Sequence, residues 1–207
     1  NIHLKKINCL LLPGSRSSEI KYILPEFIKL VVNSHNTNKN INWIIPTTKI
    51  QYSNVLSKID EIKSYPIKVV LLENNYKILN SADIAIACSG TITLELVLFK
   101  IPTIAVYKTD IISAFIGRIL VNFKNVILPN FLLNDNAVPF LFQEKCNYYQ
   151  MQIFLNNYIN DLDTKKKNFQ KHSKKILRNM RYSNSKLTDF TNNSGKMIIN
   201  LIENFKR

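Results

Sequence analysis

Four glycines, three cysteines, three histidines and a single tryptophan are all that this sequence of 207 residues contains. So little glycine excludes a collagen-like chain, and three widely spaced cysteines exclude a disulfide scaffold. Cys9, Cys88 and Cys146 point instead to a reducing compartment. His3, His35 and His172 lie far apart, with no cysteine or carboxylate at ligand spacing, so no zinc pattern is present and no metal is expected. No apolar run reaches the roughly 18–20 residues of a membrane helix, and the longest, 111–121, carries Arg118. Disorder is excluded as well, because 46% of the residues are hydrophobic and only 20% are charged. What remains is a globular domain with ample material for a core. The chain opens at Asn1 without targeting character and is already apolar by Ile7, as if entered part-way through a longer protein.

Acid is also scarce. Fourteen Asp and Glu face 28 Lys and Arg, for a formal net charge of +14. From Thr164 onward, twelve Lys and Arg stand against Asp189 and Glu203 alone, so most of the excess sits in the last fifth. Nucleic acid, anionic lipid and phosphorylated substrates are the partners such a segment suits. The plain alternative is a solvated face in a chain rich in Lys, Asn and Ile.

The first two thirds alternate between two periodicities. Residues 7–12 are a short apolar run ending at Pro13-Gly14, a buried strand entering a tight turn. Ile20, Ile23, Leu24, Phe27, Ile28 and Val31 mark one face of a helix over 17–33. Further strands are predicted at 41–45 (stopped by Pro46), 67–72, 83–88 and 102–107. The helices between and after them are expected at 50–63, 76–81, 91–100 and 111–121, followed by an extended piece over 125–128 that ends at Pro129-Asn130. Apolar strands spaced by helices predict an α/β fold, a doubly wound parallel sheet covered on both faces. We place it at 1–147, with two or three basic helices over 148–207 interrupted near 183–185 and 192–194. The ligand of such a sheet binds beyond the carboxyl ends of its strands.

Two strand-to-helix junctions carry small polar residues. The first runs Pro13-Gly14-Ser15-Arg16-Ser17-Ser18-Glu19. Its backbone N–H groups and helix dipole suit an anion, and Arg16 adds a forked cation for phosphate oxygens. A simple helix cap beside a surface arginine is the alternative. The second runs Cys88-Ser89-Gly90-Thr91-Ile92-Thr93-Leu94-Glu95. Glu95 lies one helical turn after Thr91, where a carboxylate can accept both hydroxyls of a ribose; a surface glutamate favoured by the dipole is its alternative. Neither loop fits the dinucleotide or Walker pattern. Ser89 is no nucleophile elbow either, since Ala87 stands where that turn needs glycine.

Four collinear blocks together resemble the lipid-A-disaccharide synthase family. They are Leu11-Leu12-Pro13-Gly14-Ser15-Arg16, Ser89 through Glu95, Leu128-Pro129-Asn130-Phe131-Leu132, and Gln143-Glu144. The resemblance covers residues 9–151 well and the tail more loosely. It implies the C-terminal, nucleotide-binding half of a metal-independent, inverting glycosyltransferase of the GT-B type, peripheral to the cytoplasmic face of the bacterial inner membrane. Such an enzyme joins UDP-2,3-diacylglucosamine to 2,3-diacylglucosamine 1-phosphate through a β-1,6 bond and releases UDP. Gly14, Ser15, Arg16, Ser89, Gly90 and Thr91 would then hold the diphosphate, with Arg16 stabilising the charge of the leaving UDP. Glu95 would hold the ribose, and Asn130, Gln143 and Glu144 would be polar groups of the cleft. Asn134 replaces the family's glycine and Phe140 stands where an acid is common, so the acceptor side departs more than the UDP side. The family's N-terminal domain, which carries the general base, is not in this sequence, so the chain is expected to need that half or a homodimer partner and to be inactive alone. An anionic membrane is an expected partner and nucleic acid a disfavoured one. Another UDP-sugar transferase or epimerase of the same fold, or a non-catalytic basic module, are the competing readings.

Overall fold

Along the first strand, β1 (Ile7–Leu12), alternate residues enter different cores: Cys9 and Leu11 join one cluster, Leu10 and Leu12 another. A strand buried on both faces belongs to the middle of a covered parallel sheet. The computed structural model, which describes residues 6–36, 40–72, 77–110 and 127–184, with side chains through 180 except that of Asn36, bears this out. Among the described residues its sheet has six strands in the order β3-β2-β1-β4-β5-β6, all paired in parallel. The others are β2 (Ile41–Thr47), β3 (Ile67–Leu71), β4 (Ile84–Cys88), β5 (Thr103–Tyr107) and β6 (Phe140–Phe142). This is the Rossmann order, which reverses direction between β1 and β4.

The helices cover both faces. They are α1 (Ser17–Asn36), α2 (Lys49–Ile59), α3 (Lys77–Asn80), α4 (Thr91–Leu98), α5 (Leu128–Leu133), α6 (Tyr148–Asn160) and α7 (Leu162–Asn184). The larger core cluster takes the apolar stripe of α1 (Ile20, Ile23, Leu24, Phe27) together with Met151 of α6 and Phe169 of α7. The smaller one seats Leu79 and Leu96 against Ala85 and Ala87 of β4.

Several boundaries differ from the sequence reading, each for a local reason. β2 does not stop at Pro46. Its pairing with β1 ends at Ile44, so from there it has only β3 as a neighbour, and a residue without an N–H is tolerated. α4 ends at Leu98, because Lys100 turns left-handed (φ 64°) and the Ile101 N–H returns to the Leu96 carbonyl at 3.0 Å. Leu128, expected to be extended, opens α5, whose first turn accommodates Pro129 without needing its N–H. The edge strand β6 has no counterpart in the sequence reading. The break expected at 183–185 does not open at 183, because α7 continues through Asn184; residue 185, the break at 192–194 and the helix predicted over 111–121 lie outside the described residues.

The C-terminal helices are tied to the sheet by polar contacts as well as apolar ones. Glu26 of α1 accepts from Lys108 Nζ at 3.0 Å and from the Tyr148 N–H at 3.1 Å, joining α1 to the end of β5 and the start of α6. On α7, Lys166 pairs with Asp83, Ser173 donates to the Leu98 carbonyl at 3.1 Å and Asn179 Nδ2 to the Leu132 carbonyl at 2.9 Å. Burial pushes the Glu26 carboxyl up, but Lys108, the Tyr148 N–H and Lys29 together outweigh it and hold the group below its ordinary value. A carboxyl lowered on folding contributes stability that is present above the unfolded value and lost as pH falls through the folded one. Glu26→Gln should therefore cost about 1–3 kcal/mol near neutral pH, the loss of charged hydrogen bonds. Chemical denaturation at pH 7 and pH 4 should show that difference shrinking towards the acid side.

Candidate functional site

In a parallel sheet all strands end at one edge, and the ends of β1 to β4 here enclose a cleft of about 620 Å³. Leu12, Thr47, Leu72 and Cys88 contribute from the strand ends, and the two polar turns close it from either side of the β1–β4 boundary. The cleft thus lies at the point where strand order reverses, and its volume suits a small-molecule ligand. Gly14, Ser15, Arg16, Ser89, Gly90, Thr91 and Glu95, predicted from two segments some 75 positions apart, all line this space.

The first turn is built differently from expectation. Its Ser15 and Arg16 N–H groups are not open to a ligand. Both donate to Glu19 Oε2, at 3.0 and 3.1 Å, and Arg16 Nη1 lies 3.4 Å from Glu19 Oε1. Glu19 reaches back to the start of its own helix, as the glutamate of a capping box does. Gly14 sits at φ +107°, where only glycine is unstrained, and a Cβ there would stand 2.3 Å from Glu19 Oε2. The room that glycine leaves is filled by this carboxylate. What the turn presents to the cleft is the Arg16 side chain, 76% exposed.

The second turn is open. Gly90 is the N-cap of α4 in extended backbone, no side chain caps the helix there, and a Cβ built on it would meet nothing within 4 Å. Glycine is therefore not demanded by conformation at this position. The first N–H groups of α4 have no carbonyl partner within their own helix. Ser89 differs from expectation in one respect, since its N–H continues the sheet to the Val106 carbonyl at 2.8 Å. Its hydroxyl is what remains for a ligand. Glu95 is half-buried one turn into α4, and burial holds its carboxyl above the ordinary value. Cys88 also lines the cleft, with burial first, then Glu19 and Cys146, pushing its thiol up to about 12.

The three remaining predicted residues do not line this cleft. Asn130 is buried and clamps its own loop: Nδ2 donates to the Val138 carbonyl at 2.9 Å, and Oδ1 accepts from the Val138 N–H at 2.8 Å. Gln143, also buried and at φ 51°, grips the backbone of Thr109, accepting from its N–H at 3.2 Å and donating to its carbonyl at 3.3 Å. Glu144 is exposed on a short 3₁₀ turn, where its carbonyl accepts from Asn147 Nδ2 at 2.6 Å. Amides with both ends spent on backbone are braces, not free contacts. The cleft residues without a role in the sequence reading include Glu19, whose capping-box spacing after Arg16 was a usable signal, and Thr47 and Thr48, which had none. Thr47 Oγ1 is the buried side-chain polar atom left without a hydrogen-bond partner among the described residues.

The two glycines should separate on substitution. Gly14→Ala meets both strain and a clash and should lower stability by about 1–3 kcal/mol. Gly90→Ala should leave it unchanged or slightly raised. Thermal unfolding of the two variants beside the parent checks this.

The family model of lipid-A-disaccharide synthetase matches residues 2–193. Among curated relatives, the lipid-A-disaccharide synthase of Sulfurihydrogenibium sp. is 36% identical over 148 residues, covering 66% of this chain and 38% of its own. That of Haemophilus ducreyi is 31% identical over 162 residues, covering 75% and 40%, and that of Nitrosococcus oceani 28% over 165 residues, covering 78% and 41%. The chain thus spans about two fifths of the length of these relatives. Among solved structures, TarM is similar with a TM-score of 0.58 at 12% identity, covering 86% of this chain and 33% of that one. UDP-GlcNAc 2-epimerase from Neisseria meningitidis bound to UDP-GlcNAc follows at 0.53 and 12%, covering 86% and 44%. At such identity the likeness is one of fold. The sequence match over nearly the whole chain carries the assignment further: the chain belongs to the lipid-A-disaccharide synthetase family.

Proposed function

We propose that this chain is the nucleotide-sugar half of a lipid-A-disaccharide synthase, binding the UDP portion of a UDP-diacylglucosamine donor for inverting transfer to an acylated sugar phosphate. The observation that carries the reading is the meeting of two family turns, Gly14-Ser15-Arg16 and Ser89-Gly90-Thr91, with Glu95 in one cleft at the carboxyl edge of the sheet. As the bond between sugar and diphosphate breaks, negative charge grows on the leaving UDP. A fixed guanidinium and the N-terminus of α4 meet that charge without reorganising, which lowers the barrier. Glu95, ionised, accepts the ribose hydroxyls, and its raised carboxyl means that this contact weakens first as pH falls. The acceptor 6-hydroxyl needs a base within hydrogen-bond reach. We assign that base to the acceptor half of the enzyme, so that this chain binds donor but does not turn over by itself.

A titration of the 207-residue chain with UDP, and with ADP as control, tests the reading. Selective UDP uptake is expected. Arg16→Ala should weaken it about ten- to a hundredfold, the worth of a charge-assisted contact. Gly90→Ala, although folded, should weaken it about tenfold or more by filling the space over α4. A folded parent chain that ignores UDP would reject the proposal.

The approach to an anionic membrane surface is part of the same proposal, and α7 supports it. Lys165 lies 5.1 Å over the Tyr158 ring, Lys166 is paired with Asp83, and Lys175 donates to the Leu133 carbonyl at 3.2 Å. Lys167, Lys171, Lys174 and Arg178 are exposed at helical spacing, a basic ridge about 16 Å long. No described helix is long and apolar enough to cross a membrane. Co-sedimentation with vesicles containing anionic lipid should be lost on Lys171→Glu with Lys174→Glu, fall steeply with salt, and be absent with zwitterionic vesicles.

A further inference from the structure

The two turns of the cleft offer an anion different things, and Glu19 is the reason. We propose that Glu19 is a positioning residue: it keeps the backbone donors of the first turn for itself and aims the Arg16 guanidinium, so that a diphosphate is met there by the side-chain cation while α4 alone supplies backbone N–H groups. This rests on the nucleotide reading above.

Three observations carry it. The Glu19 carboxylate is held from three sides, by the Ser15 and Arg16 N–H groups and by Arg16 Nη1, with its side chain only 11% exposed. Its seat is built into the backbone, because Gly14 at φ +107° leaves room that any Cβ would take from Oε2 and from Glu19 Cβ, at 2.3 and 2.7 Å. Swinging the carboxylate out would strand two N–H donors and open a void beside Gly14. Finally, Glu19 engages Arg16 through Nη1 alone. A guanidinium carries five donors, so the rest of the fork stays available to a ligand on its exposed side. A free arginine would surrender most of its rotamer freedom on binding phosphate; one already anchored has less to lose.

The rival picture is a plug, in which Glu19 occupies the turn only until phosphate displaces it. The two differ in sign. Under positioning, Glu19→Gln should bind UDP and inorganic pyrophosphate about three- to tenfold more weakly, and in an Arg16→Ala background the same change should have almost no effect. A plug would make Glu19→Gln bind more tightly, and an effect that persists undiminished without Arg16 would also overturn the proposal. A readout on the unsubstituted chain guards against a variant that fails to fold. The Glu19 side-chain carboxyl carbon resonance should keep its position when UDP saturates the cleft, and a shift to that of a solvated carboxylate would show displacement and sink the idea. If the unsubstituted chain takes up no UDP at all, the nucleotide reading has failed and this inference falls with it. If it binds UDP while Glu19→Gln binds equally well, only the role of Glu19 is refuted.

Discussion

Everything about this site depends on one constraint, the parallel ladder with β1 at its centre. Because β1 pairs in parallel with β2 on one side and β4 on the other, the turns after β1 and β4 must emerge at the same edge, side by side. Reversal of strand order at that boundary sends the following helices to opposite faces, and the space between their starts is the cleft. The ladder holds because both faces of the sheet are buried: Leu10 and Leu11, adjacent in sequence, are both fully enclosed yet belong to separate cores. A polar residue at either position would strip cover from one face and loosen the register that brings the turns together.

Around that frame, polar contacts choose which helix end goes where. Glu26 is the junction for α1, the loop after β5 and the first turn of α6. Gln143 and Asn130 do similar work for the loops beyond β5 and α5, turning side-chain amides into substitutes for backbone partners. Irregular backbone that is sheltered from water must find its hydrogen bonds somewhere, and these amides provide them. That explains why residues inside family blocks can be indispensable to the fold without facing the cleft.

The two turns show a division of labour that their similar sequences conceal. Both consist of a strand, a glycine, hydroxyl residues and a helix. In one the glycine makes room for an internal carboxylate and the turn presents a cation; in the other the glycine leaves the helix end bare. An anion entering between them meets a side-chain charge on one wall and backbone dipoles on the other. The acid that separates the two roles, Glu19, is the third residue after Arg16 in the sequence.

By itself the sequence determined the class of fold, the order of the strands along the chain, and the two turns that bear Gly14, Arg16, Gly90 and Glu95. These are local matters: apolar periodicity tells strand from helix, and glycine beside hydroxyl residues tells where a buried strand must turn. The short strand Phe140–Phe142 escaped because three residues carry too little pattern, and they pair only once β5 stands beside them. Tertiary structure alone decided that Asn130 and Gln143 turn inward, that the Ser89 N–H belongs to the sheet, and that Glu19 fills the first turn. Each of those outcomes is a competition for hydrogen-bond partners between groups brought together by the fold, and a linear chain does not record who wins it.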